Sequence, residues 1–184
     1  MKEISLNVLD IAQNSISAGA DLIEISVEQD SRRDLLTVLI RDNGCGMTAQ
    51  QLEQIRDPFY TTRTTRSIGL GVPLFRMAAE MSGGALEIDS SPGRGTVVKA
   101  LFGLSHIDRM PLGDICSTMV ALIQGNPVID FVYCQMLDGE QFTLDTRELR
   151  AVLEDVSLNT PDVLAWIREC VMQGISSLEH AADN

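Results

Sequence analysis

A chain of 184 residues with an apolar share of 45% carries enough material for a sizeable core, as one domain or two small ones. Its 26 acidic against 14 basic residues leave a formal charge of -12, which opposes a sequence-independent grip on nucleic acid or an anionic membrane, since both need clustered cations. Two histidines, four scattered cysteines, no signal-like amino terminus and no apolar run of spanning length weigh against His-based metal sites, disulfide scaffolds and membrane anchors, and a cytoplasmic protein is expected.

In residues 3–18 the apolar positions Ile4, Leu6, Val8, Leu9, Ile11, Ala12 and Ile16 recur at helical spacing, and Gly19 is a natural stop. Asp10 and Asn14, four apart, share a face of that helix. A carboxylate and a carboxamide so placed can hold a hydrated Mg²⁺, or simply form a polar face in solvent. A β-hairpin follows, with strands over residues 20–28 and from residue 35 onward. The second strand delivers Asp42 into Asp42-Asn-Gly-Cys-Gly-Met47. Asp42 can accept from an exocyclic amine such as that of adenine, while Gly44 and Gly46 let a flat ring approach the main chain; Asp-Asn-Gly is also an ordinary turn. Cys45 between them reads as a small packing residue rather than a redox site.

Thr48 caps a short helix over residues 49–56, which Pro58 halts. The stretch from Asp57 to Gly71 holds four threonines, Arg63, Arg66 and Gly69-Leu-Gly71, then an apolar helix over residues 72–81. Free N–H groups at that helix start, with guanidiniums nearby, favour a polyphosphate; the alternative is a mobile surface loop. Strands over 85–90 and 96–102 complete a helix, two strands, short helix, helix, two strands order, an α+β sandwich with helices segregated to one face of the sheet.

Four separated boxes, in order, resemble the GHKL superfamily of ATPases: gyrase, the heat-shock chaperone of the ninety-kilodalton class, sensor histidine kinases and MutL-type repair proteins. Asp10-Ile-Ala-Gln-Asn14 and Asp42-Asn-Gly-Cys-Gly-Met47 look MutL-like. Pro58-Phe-Tyr-Thr-Thr-Arg63, Gly69-Leu-Gly71 and Ser91-Pro-Gly-Arg-Gly-Thr96 look histidine-kinase-like, as does the short lid over residues 60–68. The resemblance implies a Bergerat-type α/β sandwich, a mixed sheet with helices on one face, over residues 1–104, with ATP and Mg²⁺ as cofactors. It implies that Asn14 ligates Mg²⁺, that Asp42 reads adenine supported by Thr96, and that Gly69 and Gly71 meet the phosphates, with Arg63 and Arg66 beside them. Gly44, Gly46, Met47, Phe59, Thr62 and Leu70 stand inside the same boxes as nucleotide-binding positions.

Where hydrolysing members carry a glutamate base, this chain has Asp10, one methylene shorter, so slow hydrolysis is expected. Nine residues precede Asp10, and the phosphoacceptor hairpin of a histidine kinase is expected to be absent. A DNA-repair role is disfavoured.

Residues 105–184 resemble nothing recognisable and read as a small α/β C-terminal domain, regulatory or dimerising. A helix over 111–124, strands over 128–136 and 141–144, a helix from an Asp145/Glu148 capping box, and a helix opened by Thr160-Pro161-Asp162 are expected. The last places Leu164, Ile167, Val171, Ile175 and Leu178 on one stripe, for its own domain or for a seam with a partner. His106 reads as a linker histidine with a local hydrogen bond. The functional expectation is an ATP-binding regulator that acts on an unidentified protein partner, as a kinase in trans in the manner of the anti-sigma-factor kinases or as a slow ATPase. The alternative is a catalytically idle ATP sensor that switches partners. A homodimer is compatible with either.

Overall fold

The computed structural model describes residues 3–56 and 71–182. Six helices and six strands occur in the order α1 (Ile4–Ser17), β1 (Leu22–Asp30), β2 (Leu35–Asp42), α2 (Ala49–Arg56), α3 (Gly71–Met81), β3 (Ala85–Ser90), β4 (Thr96–Gly103), α4 (Ile115–Gly125), β5 (Asp130–Leu137), β6 (Glu140–Asp145), α5 (Thr146–Leu153) and α6 (Pro161–Ala182).

All six strands lie in one mixed sheet of order β3-β4-β2-β1-β5-β6, antiparallel throughout except for the parallel β1/β5 pair. Strict alternation in β1 and β2 puts Ile23, Ile25 and Val27, and Leu36, Val38 and Ile40, on one buried face. The register carries that face across the sheet, Ile88 beside Val98, Val98 beside Ile40, Ile40 beside Ile25, and Ile25 beside Tyr133. Helices cover it in the order α3, α1, α4, α6, with α3 over β3 and β4, α1 over β2, and α6 over β5 and β6. Phe75 of α3 meets Phe102 of β4 with ring centroids 5.9 Å apart.

Residues beyond 104 do not build a sheet of their own; β5 and β6 extend the sheet begun by the first four strands. The division expected at 104/105 falls in the turn after β4, and one apolar core runs through it, from Ile4 and Val8 to Met119, Phe131 and Ile167. The stripe of α6 packs inward on α4, β5 and β6, leaving Trp166 exposed. Asp114 caps α4, so this helix starts later than expected. Asp145 caps α5 as expected, but its carboxylate takes the Arg147 N–H and guanidinium, and no box with Glu148 forms among the described residues.

Candidate functional site

A cavity of about 230 Å³ opens where the C-terminal half of α1 faces the ends of β2 and β4. Ile11, Ile55, Val72, Ile88 and Val98 give it apolar walls, and Asn14, Ser15, Asp42 and Thr96 add polar groups. A few convergent polar atoms in a mostly apolar cleft is the ordinary make-up of a small-molecule site.

Asp42 is the best-held of these groups, at 7% exposure. Its Oδ1 accepts the N–H of Gly44 at 2.9 Å and of Thr96 at 3.1 Å, and its Oδ2 accepts the hydroxyl of Ser15 at 2.6 Å. A carboxylate has about four lone-pair positions, so one acceptor position remains for a ligand after three protein donors. The turn behind it is rigidly stitched. Asn43 Oδ1 accepts the N–H groups of Asp21 and Leu22, and Gly93 N–H donates to Cys45 O at 2.8 Å. Ser90 Oγ accepts Met47 N–H at 2.9 Å and lies 2.9 Å from Thr96 Oγ1.

Of the residues singled out in the sequence, Asn14, Asp42, Gly46, Met47 and Thr96 line this one cavity. Thr96 does support Asp42, but through its main-chain N–H, while its hydroxyl faces Ser90. Gly46, at φ +66°, lets the main chain pack on Ser91 O, where a Cβ would overlap. Gly44 is not in the cavity wall. Its missing Cβ makes room for Ala18, whose carbonyl oxygen would lie 2.9 Å from such an atom. Asp10 and Gly71 form an adjacent pair, since a Cβ on Gly71 would stand 3.3 Å from Asp10 Oδ2. Asp10 thus sits at the start of α3. Phe59, Thr62, Arg63, Arg66, Gly69, Leu70 and the lid over residues 60–68 lie outside the described residues.

Sequence reasoning missed Ser15. It occupies the sheet-facing stripe of α1 with Ile4, Val8 and Ile11, and a hydroxyl there at 4% exposure needs a partner beyond its own helix. Cys45 also differs from expectation, being exposed at the cavity wall rather than packed inside. His106 makes the local bond expected of it, Nδ1 accepting Asp108 N–H at 3.1 Å.

The Asn14 carboxamide makes no hydrogen bond to a described residue, and Asp10 lies one turn before it on the same face. No group of three metal-binding side chains occurs among the described residues. An oxygen or two from the protein, with the rest from water and phosphate, is how Mg²⁺ accompanies nucleotides, so this donor set fits that ion better than a dedicated metal cage.

Fold and cavity together define an α+β sandwich with a mostly apolar cleft at the ends of β2 and β4. Residues 1–106 match the family described as histidine kinase-, DNA gyrase B-, and HSP90-like ATPase, and the chain belongs to that family. It is 30% identical over 109 residues to a putative sensor protein of Shewanella frigidimarina, covering 59% of this chain and 16% of that one. With a probable C4-dicarboxylate sensor kinase of Bacillus subtilis it shares 35% over 80 residues, 44% of this chain and 15% of the other. The matched part is thus a small fraction of those relatives. The ATPase domain of Aquifex aeolicus MutL complexed with ADP aligns over 84% of this chain and 70% of that chain, at 14% identity and a TM-score of 0.48. Among the described residues no helix is long and apolar enough to cross a membrane.

Proposed function

We propose that the chain binds Mg·ATP, with adenine in the Asp42 cavity, and uses it to act on a protein partner. The observation that carries this is the Asp42 carboxylate, oriented by three protein donors with acceptor capacity left in a mostly apolar cleft. An exocyclic amine with an aromatic face satisfies such a wall, because the ring buries apolar area while one of the amine's two N–H groups meets the one remaining acceptor. Asn14 holds the magnesium ion, which screens the polyphosphate charge when bound, and Asp10 orients water or a partner hydroxyl at the start of α3. Gly69, Leu70, Gly71, Phe59, Thr62, Arg63 and Arg66 belong to the phosphate side in this reading. The composition supports a cytoplasmic protein partner, in a monomer or homodimer, over nucleic acid or membrane.

Transfer to a partner, slow hydrolysis and pure sensing share this site. The short Asp10 side chain favours low turnover. The deciding experiment is calorimetry with Mg·ADP and Mg·ATP, followed by turnover of Asp10→Asn with labelled γ-phosphate. Binding by both proteins, with turnover reduced by about 10²-fold or more in the variant, supports the enzyme. Equal and negligible turnover with unchanged affinity supports the idle sensor. Absence of binding by the wild-type chain overturns both.

A further inference from the structure

The helix that carries Asp10, Asn14 and Ser15 is not capped by its own neighbourhood. Glu3, at the N-cap of α1, offers no side-chain cap. The first N–H groups of a helix have no acceptor within it. Here Ile4 N–H donates to Pro111 O at 3.0 Å and Ser5 N–H to Leu112 O at 2.8 Å. Thr118 of α4 donates its hydroxyl to Ser5 O at 3.4 Å. Gly113, at φ +76°, packs so tightly on Glu3 and Ser5 that a Cβ would overlap the Glu3 carboxylate. A segment more than a hundred residues away supplies the helix cap.

The other half of the site frame is tied to the same part of the chain. Asp21 donates its N–H to Asn43 Oδ1, in the turn that aims Asp42, and accepts Asp130 N–H on its own carbonyl at 2.9 Å. From there β1 and β5 pair residue by residue, Leu22 with Asp130 to Gln29 with Leu137. Ser15 on α1 and Asp42 on β2, which meet at 2.6 Å, are therefore each one element away from residues 111–130.

We propose that residues 111–118 are a regulatory clamp on α1. Nucleotide in the Asp42 cavity and docking of this segment on the start of α1 stabilise one another, so that an event on the C-terminal part changes nucleotide affinity and the reverse holds equally. The proposal rests on the reading of the cavity as a nucleotide site. A helix of 14 residues transmits a shift at its first turn to its last as a unit, because its internal hydrogen bonds resist bending. Uncapping also takes the acceptors from two helix N–H groups, so docking of the segment carries a free-energy difference to which nucleotide binding can couple.

Amide hydrogen exchange of the full chain, with and without saturating Mg·ADP, tests this. Slowing by about tenfold or more in residues 3–9 and 111–119, together with residues 42–47 and 91–98, is expected. Slowing confined to 42–47 and 91–98 overturns the clamp and leaves the nucleotide reading intact. No slowing anywhere removes the nucleotide reading and the clamp with it. In parallel, Gly113→Ala, outside the cavity, weakens Mg·ADP binding three- to tenfold. Gly174→Ala on α6, which crowds the Phe142 ring of β6 at a distance from α1, leaves affinity unchanged. Equal affinity in all three proteins overturns the clamp. If Gly113→Ala fails to fold, the exchange measurement on the wild-type chain still decides.

Discussion

Ser15 and Asp42, 27 residues apart in the chain, meet through a buried 2.6 Å hydrogen bond from hydroxyl to carboxylate oxygen. The bond joins α1 to the end of β2 at the point where the cavity begins. Hydrogen bonds to ionised groups contribute about 1.5–3 kcal/mol when buried, so Ser15→Ala lowers unfolding free energy by about that amount. It also frees the carboxylate to rotate. Mg·ADP affinity falls by roughly tenfold, since about 1.4 kcal/mol of lost orientation is a factor of ten. Denaturant unfolding and calorimetry on one preparation separate the two effects; unchanged affinity would show that Asp42 is aimed by Gly44 and Thr96 alone.

Asp42→Asn tests the acceptor itself. Gly44 N–H and Thr96 N–H require an oxygen at the Oδ1 position, so the new amide must turn its NH₂ toward Ser15 and the cavity. A donor then faces the ligand's donor. Adenine-nucleotide binding drops by about two orders of magnitude, in line with leaving a buried polar group unpaired, while the fold survives because Ser15 Oγ can accept. Titration with ADP on the variant, checked by circular dichroism for folding, is sufficient.

The legibility of these features followed their chemistry. Asp42 alone reads as an ordinary turn and Asp10 with Asn14 as a polar helix face; they stood out because they fall in order with the later glycine-rich boxes. Ser15 did not, since a small residue on the sheet-facing side of α1 reads as packing until the strand opposite it is known. Gly44 was assigned to ring approach when its space is taken by Ala18, a contact between a helix end and a turn that no local pattern reveals. Strand β5 and its hairpin partner β6 were recognised, but the parallel pairing of β5 with β1 was not. Alternation says which face of a strand is buried and nothing about which edge it joins, and the β1 edge was free to accept it.

Gly95→Ala is expected to damage the site from behind. Gly95 has φ +78°, and a Cβ there would overlap the main-chain carbonyl of Asp42. Left-handed strain for a non-glycine residue costs about 1–3 kcal/mol before the overlap is counted. At about 2–4 °C per kcal/mol for a chain of this size, Tm falls by several degrees or more. Saturating Mg·ADP restores part of it. A Tm within a degree of wild type would mean that the turn over residues 91–95 is not braced on Asp42.

Part of the acid sensitivity belongs to the helix caps of the C-terminal part. Asp114, bonded by the Ser117 hydroxyl and N–H, and Asp145, bonded by the Arg147 guanidinium and N–H, both have carboxyls held below the usual value of 3.8. The unfolded chain therefore takes up protons first as pH drops. Their stabilisation is complete above the ordinary aspartate value and is lost as pH falls through the depressed native ones. Asp114→Asn keeps a capping oxygen for Ser117 while removing the titration, so its stability declines less steeply below about pH 4. Thermal melts from pH 3 to 7 give the comparison, and parallel curves for the two proteins would refute the assignment.

The alkaline limb has the opposite sign and a different origin. Burial pushes the Tyr133 phenol well above its usual value of 10.0 and the Cys116 thiol above 9.0, because neither can shed a proton into an apolar core without a penalty. A raised native value means that stability is intact below the unfolded one and is lost as pH climbs past it, first through the thiol and then through the phenol. Tyr133 also donates to Gln135 Oε1 at 2.5 Å, with both residues buried. Tyr133→Phe therefore lowers stability at pH 7 by about 1–3 kcal/mol, since the Gln135 oxygen loses its donor. It removes the phenol from the titration as well, so the wild-type curve falls toward the variant's above pH 10. Urea unfolding at pH 7, 9 and 10.5 tracks the gap between them, and a gap that stays constant would place the alkaline loss elsewhere.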